Sequence, residues 1–252
     1  MALLKVLLLL LGLGVSVNSD VSLQKRIIGG QNCNDTKRLY HVRLESSNDT
    51  RITCCGGSLI HPQWILTAAH CWKSEPGWTN VAVLKVHPRT AGEQRQLIRQ
   101  APVIYSHNFQ QHDIMLLKLE TPVTDVPLPR LPDRRYRLSR GSVVQLAGEG
   151  TTTTGPNNQR LTPDAAIPPH LQCVNMEVVD VSLFVPLTGS IFRAKAPNKD
   201  ICYDDDGGAA MLGNKIYGVI SFGGVYYACQ RPATILDVCE YKDWIRSITG
   251  RK

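Results

Sequence analysis

Ten residues, Asp200-Ile201-Cys202-Tyr203-Asp204-Asp205-Asp206-Gly207-Gly208-Ala209, constrain this chain more than any other stretch. Two others must be read beside them: Thr67-Ala68-Ala69-His70-Cys71, and Asp113-Ile114-Met115-Leu116-Leu117. The second opens an apolar run of strand length. It carries the Asp113 carboxylate toward the interior unless something pairs with it, and His70 is the candidate partner. Around them, β-branched and aromatic residues bounded by Gly and Pro predict strands from Thr53 through Thr67, over Val143-Val144-Gln145-Leu146 and from Ile216 to Phe222. Residues 121–137, with Pro122, Pro127, Pro129 and Pro132, read as a connector, and Thr151 to Pro169 as a loop. At the end, Val238, Tyr241, Ile245 and Ile248 share one face of a predicted helix that stops near Gly250.

Lys5 precedes an apolar run from Val6 to Leu11, with small residues Ser16 and Ser19 as a cleavage point, which predicts a secretory signal peptide over 1–19 and a secreted, extracellular protein. The run is too short to span a bilayer and no second one follows, so no transmembrane segment is expected. Export makes disulfides the natural use of eight cysteines, and no Cys-x-x-Cys zinc spacing occurs. The net charge of +7 falls to +5 once Lys5, Lys25, Arg26 and Asp20 are removed. Arg130, Arg134, Arg135, Arg137 and Arg140 hold much of the excess. That cluster is either a solvated loop or a surface for an anionic polysaccharide or acidic membrane. Nucleic acid is not an expected partner, because basic residues alone specify nothing. Asn34-Asp35-Thr36 and Asn48-Asp49-Thr50 are N-glycosylation acceptors, placing Asn34 and Asn48 on surface loops.

These motifs together resemble the trypsin/chymotrypsin family of serine proteases, in which a serine sits in Gly-Asp-Ser-Gly-Gly. The resemblance runs from Ile27 to Lys252, and implies an all-β fold of two packed six-stranded antiparallel barrels with a C-terminal helix. It also implies that Gln24-Lys25-Arg26, before Ile27-Ile28-Gly29-Gly30, ends an activation propeptide over 20–26. Cleavage after Arg26 would free the amine of Ile27 to pair with Asp205, a pair tolerable in the interior only because both charges are present. His70 and Asp113 match the family's catalytic histidine and aspartate. Asp200 stands where the trypsin subgroup places the aspartate that binds Lys or Arg, and Ser221-Phe222-Gly223 resembles that pocket's wall. The disulfide pattern implied is Cys33 with Cys173, Cys55 with Cys71, and Cys202 with Cys229. The second closes a 16-residue loop, for which a cross-link contributes roughly 3 kcal/mol. Cys54 and Cys239 remain, as free thiols, intermolecular bridges or unconventional partners of each other. No cofactor is implied.

Two positions depart from the family. The serine is Asp206, and the glycine whose N–H helps bind the oxyanion is Asp204. Acyl transfer needs a hydroxyl nucleophile, a base and N–H donors aimed at the oxyanion. Removing the serine alone costs on the order of 10⁶ in turnover. A carboxylate ~4 Å from the oxyanion adds about 4 kcal/mol of repulsion at a surface-like dielectric. A side chain at position 204 is also expected to strain a turn that favours glycine. The expectation is a protease homologue without peptidase activity, binding a protein or peptide ligand through a basic side chain. The alternative is an active endopeptidase cleaving after Lys or Arg. A calcium site on Asp204-Asp205-Asp206 ranks third, because adjacent carboxylates rarely converge on one ion.

Overall fold

The computed structural model describes residues 27–133, 135–150, 156–159, 169–222 and 228–250. The proposed leader and propeptide, Arg26 among them, lie outside these residues, as do Arg134 and Gly223.

The first sheet contains β2 (His41–Ser47), β3 (Ile52–His61), β4 (Trp64–Thr67), β5 (Thr79–Leu84), β6 (Gln94–Leu97), β7 (Val103–His107) and β8 (Gln110–Lys118), in the order β6-β5-β2-β3-β4-β8-β7. The second contains β1 (Gln31–Asn32), β9 (Val143–Gly148), β10 (Gln172–Val185), β11 (Gly189–Lys195), β12 (Ala209–Leu212), β13 (Lys215–Phe222) and β14 (Ala233–Asp237). Its order is β1-β10-β11-β14-β13-β12-β9, and β9 pairs back onto β10, so six strands close into a barrel with β1 attached. All strand pairings within the two sheets are antiparallel. The mostly β architecture that the resemblance implies is therefore present, as one closed six-stranded barrel and a second sheet of seven strands rather than six.

Ile114 to Leu117 are buried on both faces of β8, which explains why that strand reads as a continuous apolar run instead of alternating. One core cluster fills the first sheet and continues into Ile191, Met211, Val219 and Leu236 of the second and Tyr241 and Ile245 of the helix, so the two units share an interior. A second cluster, containing Ile27, Leu146, Phe192 and Ile220, fills the closed barrel. The disulfide Cys33–Cys173 ties the N-terminal segment to β10, and Cys55–Cys71 ties β3 to the turn after β4. Cys54 and Cys239 are free thiols on different elements, pushed up to about 12 and about 11 chiefly by burial.

The C-terminal helix α1 (Val238–Thr249) ends at Gly250 as its sequence predicts, and its start is capped as well. Asp237 accepts the Cys239 N–H at 3.0 Å, and Gly250, at φ +66°, donates to the Arg246 carbonyl at 2.9 Å. Its docking is polar as well as apolar. The Tyr241 hydroxyl accepts the Ser190 N–H at 2.8 Å and lies 2.9 Å from His112 Nδ1. Tyr241→Phe leaves that buried N–H without its acceptor and is expected to cost about 1–3 kcal/mol in denaturant unfolding. An unchanged unfolding midpoint would mean that this bond does not hold α1.

Candidate functional site

His70 lies in a short 3-10 turn, Ala69–Cys71, that leaves β4, with the neighbouring Cys71 bridged to β3. Asp113 enters near the start of β8, its N–H bonded to the Thr188 carbonyl of the β10–β11 turn. The two side chains meet: His70 Nδ1 is 2.9 Å from Asp113 Oδ2, and the His70 backbone N–H donates to Oδ1 at 2.9 Å. The Ser221 hydroxyl donates to Oδ2 at 2.6 Å. Ser221, read from sequence as pocket wall, thus has its hydroxyl engaged in holding Asp113.

On the other side of the imidazole, Nε2 lies 3.4 Å from Asp206 Oδ2. Burial opposes charge on His70, but the hydrogen bonds and negative charge of Asp113 and Asp206 outweigh it and push the imidazole up to about 10. At neutral pH His70 is therefore an imidazolium between two carboxylates. It has no lone pair to take a proton and faces no hydroxyl to take one from.

The backbone around Asp206 is held by contacts only glycine allows. The Gly56 N–H donates to the Asp206 carbonyl at 2.7 Å, and the Gly207 N–H to Ile220 at 2.7 Å. Gly207 has φ +83°, and a Cβ there would come within 2.2 Å of the Gly56 carbonyl oxygen. The expected strain at Asp204 does not appear. Among the described residues with positive φ, Asp204 is not one, because Tyr203–Asp205 forms a 3-10 turn that any residue adopts, closed by the Asp205 N–H on the Cys202 carbonyl at 3.0 Å. Burial, then the charges of Asp206 and Glu149, push the Asp204 carboxyl up to about 7.

Asp205 is fully buried against the end of β9, where a Cβ on Gly148 would lie 2.0 Å from its Oδ1. Its carboxylate accepts N–H bonds from Gly150 (2.9 Å) and Cys202 (2.7 Å), yet burial still raises it to about 7. Ile27 is buried in the same barrel at φ +52°, an outlier for a β-branched residue.

Asp200 is not beside His70 in any contact. Its oxygens accept the N–H groups of Ile201 (2.8 Å) and Cys229 (2.7 Å), and it lines a cavity of about 480 Å³ with Lys199 and Arg231. Phe222 lines an adjoining cavity of about 370 Å³ that shares Arg231 and Pro232. The Asp200–Cys229 bond brings the segments carrying Cys202 and Cys229 close together. The only described grouping with metal-like ligand spacing, Cys55, His70 and Cys71, uses two sulfurs already joined in a disulfide, which leaves no thiolate for an ion. The arginine cluster is largely compensated internally. Arg135 faces Asp133, Arg137 faces Asp237 and Glu240, and Arg140 faces Asp180. At both predicted glycosylation triplets, the Asn34 and Asn48 side-chain carbonyls accept bonds from Thr36 and Thr50.

Sequence reasoning missed a buried ionic network beside the site. Arg43 donates to Glu149, Glu45 and Glu93, and Arg89 bridges Glu149 and Glu93. His41 packs 4.0 Å from Glu149, and burial with nearby positive charge pushes it down to about 3. The one available signal was Glu149, a carboxylate set between Gly148 and Gly150 at the end of a predicted strand.

The trypsin family model matches residues 27–245. The chain belongs to the trypsin family. It is 30% identical to anionic trypsin of Canis lupus familiaris, covering 96% of each chain. It is 32% identical to snake venom serine protease homolog 2 of Macrovipera lebetinus, over 98% of this chain and 96% of that one. The structure of mouse neuropsin, at 23% identity, aligns with a TM-score of 0.70 over 88% of this chain and 99% of that one, and so shares the trypsin fold. Relatives thus include both trypsins and proteins named as protease homologues.

The electrostatics of His70 give a pH signature of definite sign. Its folded value lies above its ordinary one, so its stabilisation is complete below about pH 6.5 and is lost as pH rises through about 10. The difference in thermal midpoint between the unaltered protein and His70→Gln is expected to be largest near pH 6 and to shrink steadily to pH 10. A difference independent of pH over that range would contradict the paired imidazolium.

Proposed function

We propose that this trypsin-family member is a secreted, catalytically silent homologue whose scaffold serves binding. The observation that carries this reading is the contact at His70 Nε2, where a carboxylate stands 3.4 Å away in the place of a hydroxyl. Asp206 offers a carboxyl group and no alcohol hydroxyl, and its mixed anhydride with a peptide acyl group would form from an unreactive amide and a weak nucleophile. Asp204 adds a second carboxyl where negative charge is meant to develop. The aspartate, the histidine and the serine that orients the aspartate are all in place, so the loss is confined to positions 204 and 206.

The domain proposed for this function is residues 27–252, released by cleavage after Arg26. The outlying φ of Ile27 supports this cut. A residue so held stores about 1–3 kcal/mol that hydrolysis of the preceding bond is free to release. The new ammonium would offset the buried charge of Asp205. A Cys202–Cys229 disulfide would brace the segment around Asp200. We assign Asp200 the recognition of a basic side chain on a protein or peptide partner, its carboxylate being buried at a cavity wall. Among the described residues no helix is long and apolar enough to cross a membrane.

Amidolysis of arginyl and lysyl substrates by the purified chain, cut after Arg26, tests this reading beside an Asp204→Gly/Asp206→Ser double variant. The native chain is expected to stay at background and the double variant to exceed it by several orders of magnitude, with Arg and Lys substrates preferred over Phe. Turnover by the native chain that a serine-directed inhibitor abolishes would establish the active-endopeptidase alternative instead.

A further inference from the structure

A cavity of about 1020 Å³ opens where the N-terminal loop crosses the closed barrel and the connector, and none of His70, Asp113, Asp200 or Asp206 lines it. Its wall comes from β1, Asn34, Thr36–Tyr40, Pro127–Pro129, β9 and the β12–β13 turn. Arg38 forms part of that wall. It is nine-tenths buried, and among the described residues its guanidinium donates only to neutral groups, the Tyr40 hydroxyl at 2.9 Å and Gln145 Oε1 at 2.6 Å. Its Nε is buried without any partner. Neither Asp nor Glu is among the lining residues, and Lys37 adds a second cation at the exposed rim.

A guanidinium cannot shed its proton, and a buried cation without a counter-charge is costly. The one other buried arginine of the described residues, Arg43, avoids that cost. It faces three carboxylates. The Arg38 backbone is also held at φ +60°, so the side chain occupies this wall against the ordinary preference of a non-glycine residue. The rest of the lining is uncharged and mixed. Gln31, Asn32 and Asn214 offer amides, while Pro127 and Leu128 offer apolar surface. Amides match hydroxyl groups, apolar faces match ring C–H surfaces, and the volume lies at the upper end of small-ligand pockets, about 300–1,000 Å³.

We propose that this cavity binds a carboxylate-bearing sugar, its single negative charge set against Arg38 and Lys37 and its hydroxyls against the amide side chains. The ligand supplies the counter-charge that the chain itself withholds from Arg38. The site is independent of the His70 centre and of the proposed loss of catalysis.

Calorimetric titration with an unsulfated glucuronic-acid-containing disaccharide tests the proposal, with maltose and sodium acetate as controls. The disaccharide is expected to bind saturably, and both controls to bind at least about 10-fold more weakly, as loss of a charge-assisted bond or of the hydroxyl contacts requires. Arg38→Gln is expected to weaken the disaccharide by about 10-fold or more. Gln145→Glu separates this from misfolding, because it places a carboxylate at the existing 2.6 Å contact. It is expected to raise the thermal midpoint while lowering disaccharide affinity by a similar factor. No saturable binding to the unaltered protein, or unchanged affinity in folded Gln145→Glu, overturns the proposal. Acetate binding as tightly as the disaccharide overturns the assignment to a sugar.

Discussion

The structure depends on a backbone interlock between its two sheets. The Gly56 N–H of β3 binds the Asp206 carbonyl at 2.7 Å, Thr67 of β4 donates its hydroxyl to the Gly56 carbonyl at 2.8 Å, and Gly207 leaves no room for a side chain between them. Because Asp206 takes part through its main-chain carbonyl, position 206 is placed regardless of what its side chain is. That separation allows a fold shared with trypsins to persist while the reacting group is exchanged. The shared core, running from β8 through Met211 and Val219 to α1, keeps the two halves from shifting apart and so preserves the His70–Asp113 geometry.

Within that frame the chemistry is decided by charge. In a catalytic triad one carboxylate orients a neutral imidazole and stabilises it only after it accepts a proton. Here a second carboxylate is present from the start, so the protonated state is the resting state. Asp113 gains further hold from the His70 N–H and the Ser221 hydroxyl. Burial first, and neighbouring acidic groups after it, raise Asp204 and Asp205 to about 7, so this turn already resists holding negative charge at neutral pH. An acyl-transfer transition state, which adds one more negative charge, is opposed on every side.

Much of this was legible in the sequence, where local chemistry carries its own signature. The apolar run from Ile114 announced a two-face-buried strand that would take Asp113 inward. Gly250 ends a helix whose apolar spacing is unambiguous, and Thr-Ala-Ala-His-Cys marked His70. Other features have no local signature. Arg43 and Glu149 are 106 positions apart, and nothing in His41-Val42-Arg43-Leu44 announces that the arginine points into the interior. Nothing in Thr36-Lys37-Arg38-Leu39-Tyr40 announces that Arg38 is buried. The basic cluster from Arg130 to Arg140 looked like free charge, because carboxylates such as Glu240 and Asp180 reach it only through the fold. The strain foreseen at Asp204 failed for a related reason: a 3-10 turn removed the need for glycine there.

The central claim is that His70 rests as a cation held by two carboxylates. Its proton NMR titration tests this most directly, following the imidazole Cε1–H signal from pH 5 to 11 and assigning it with His70→Gln. The account predicts a single transition near pH 10, with the ring still charged at pH 8. A midpoint between 6 and 7 would show a neutral base at physiological pH and contradict it.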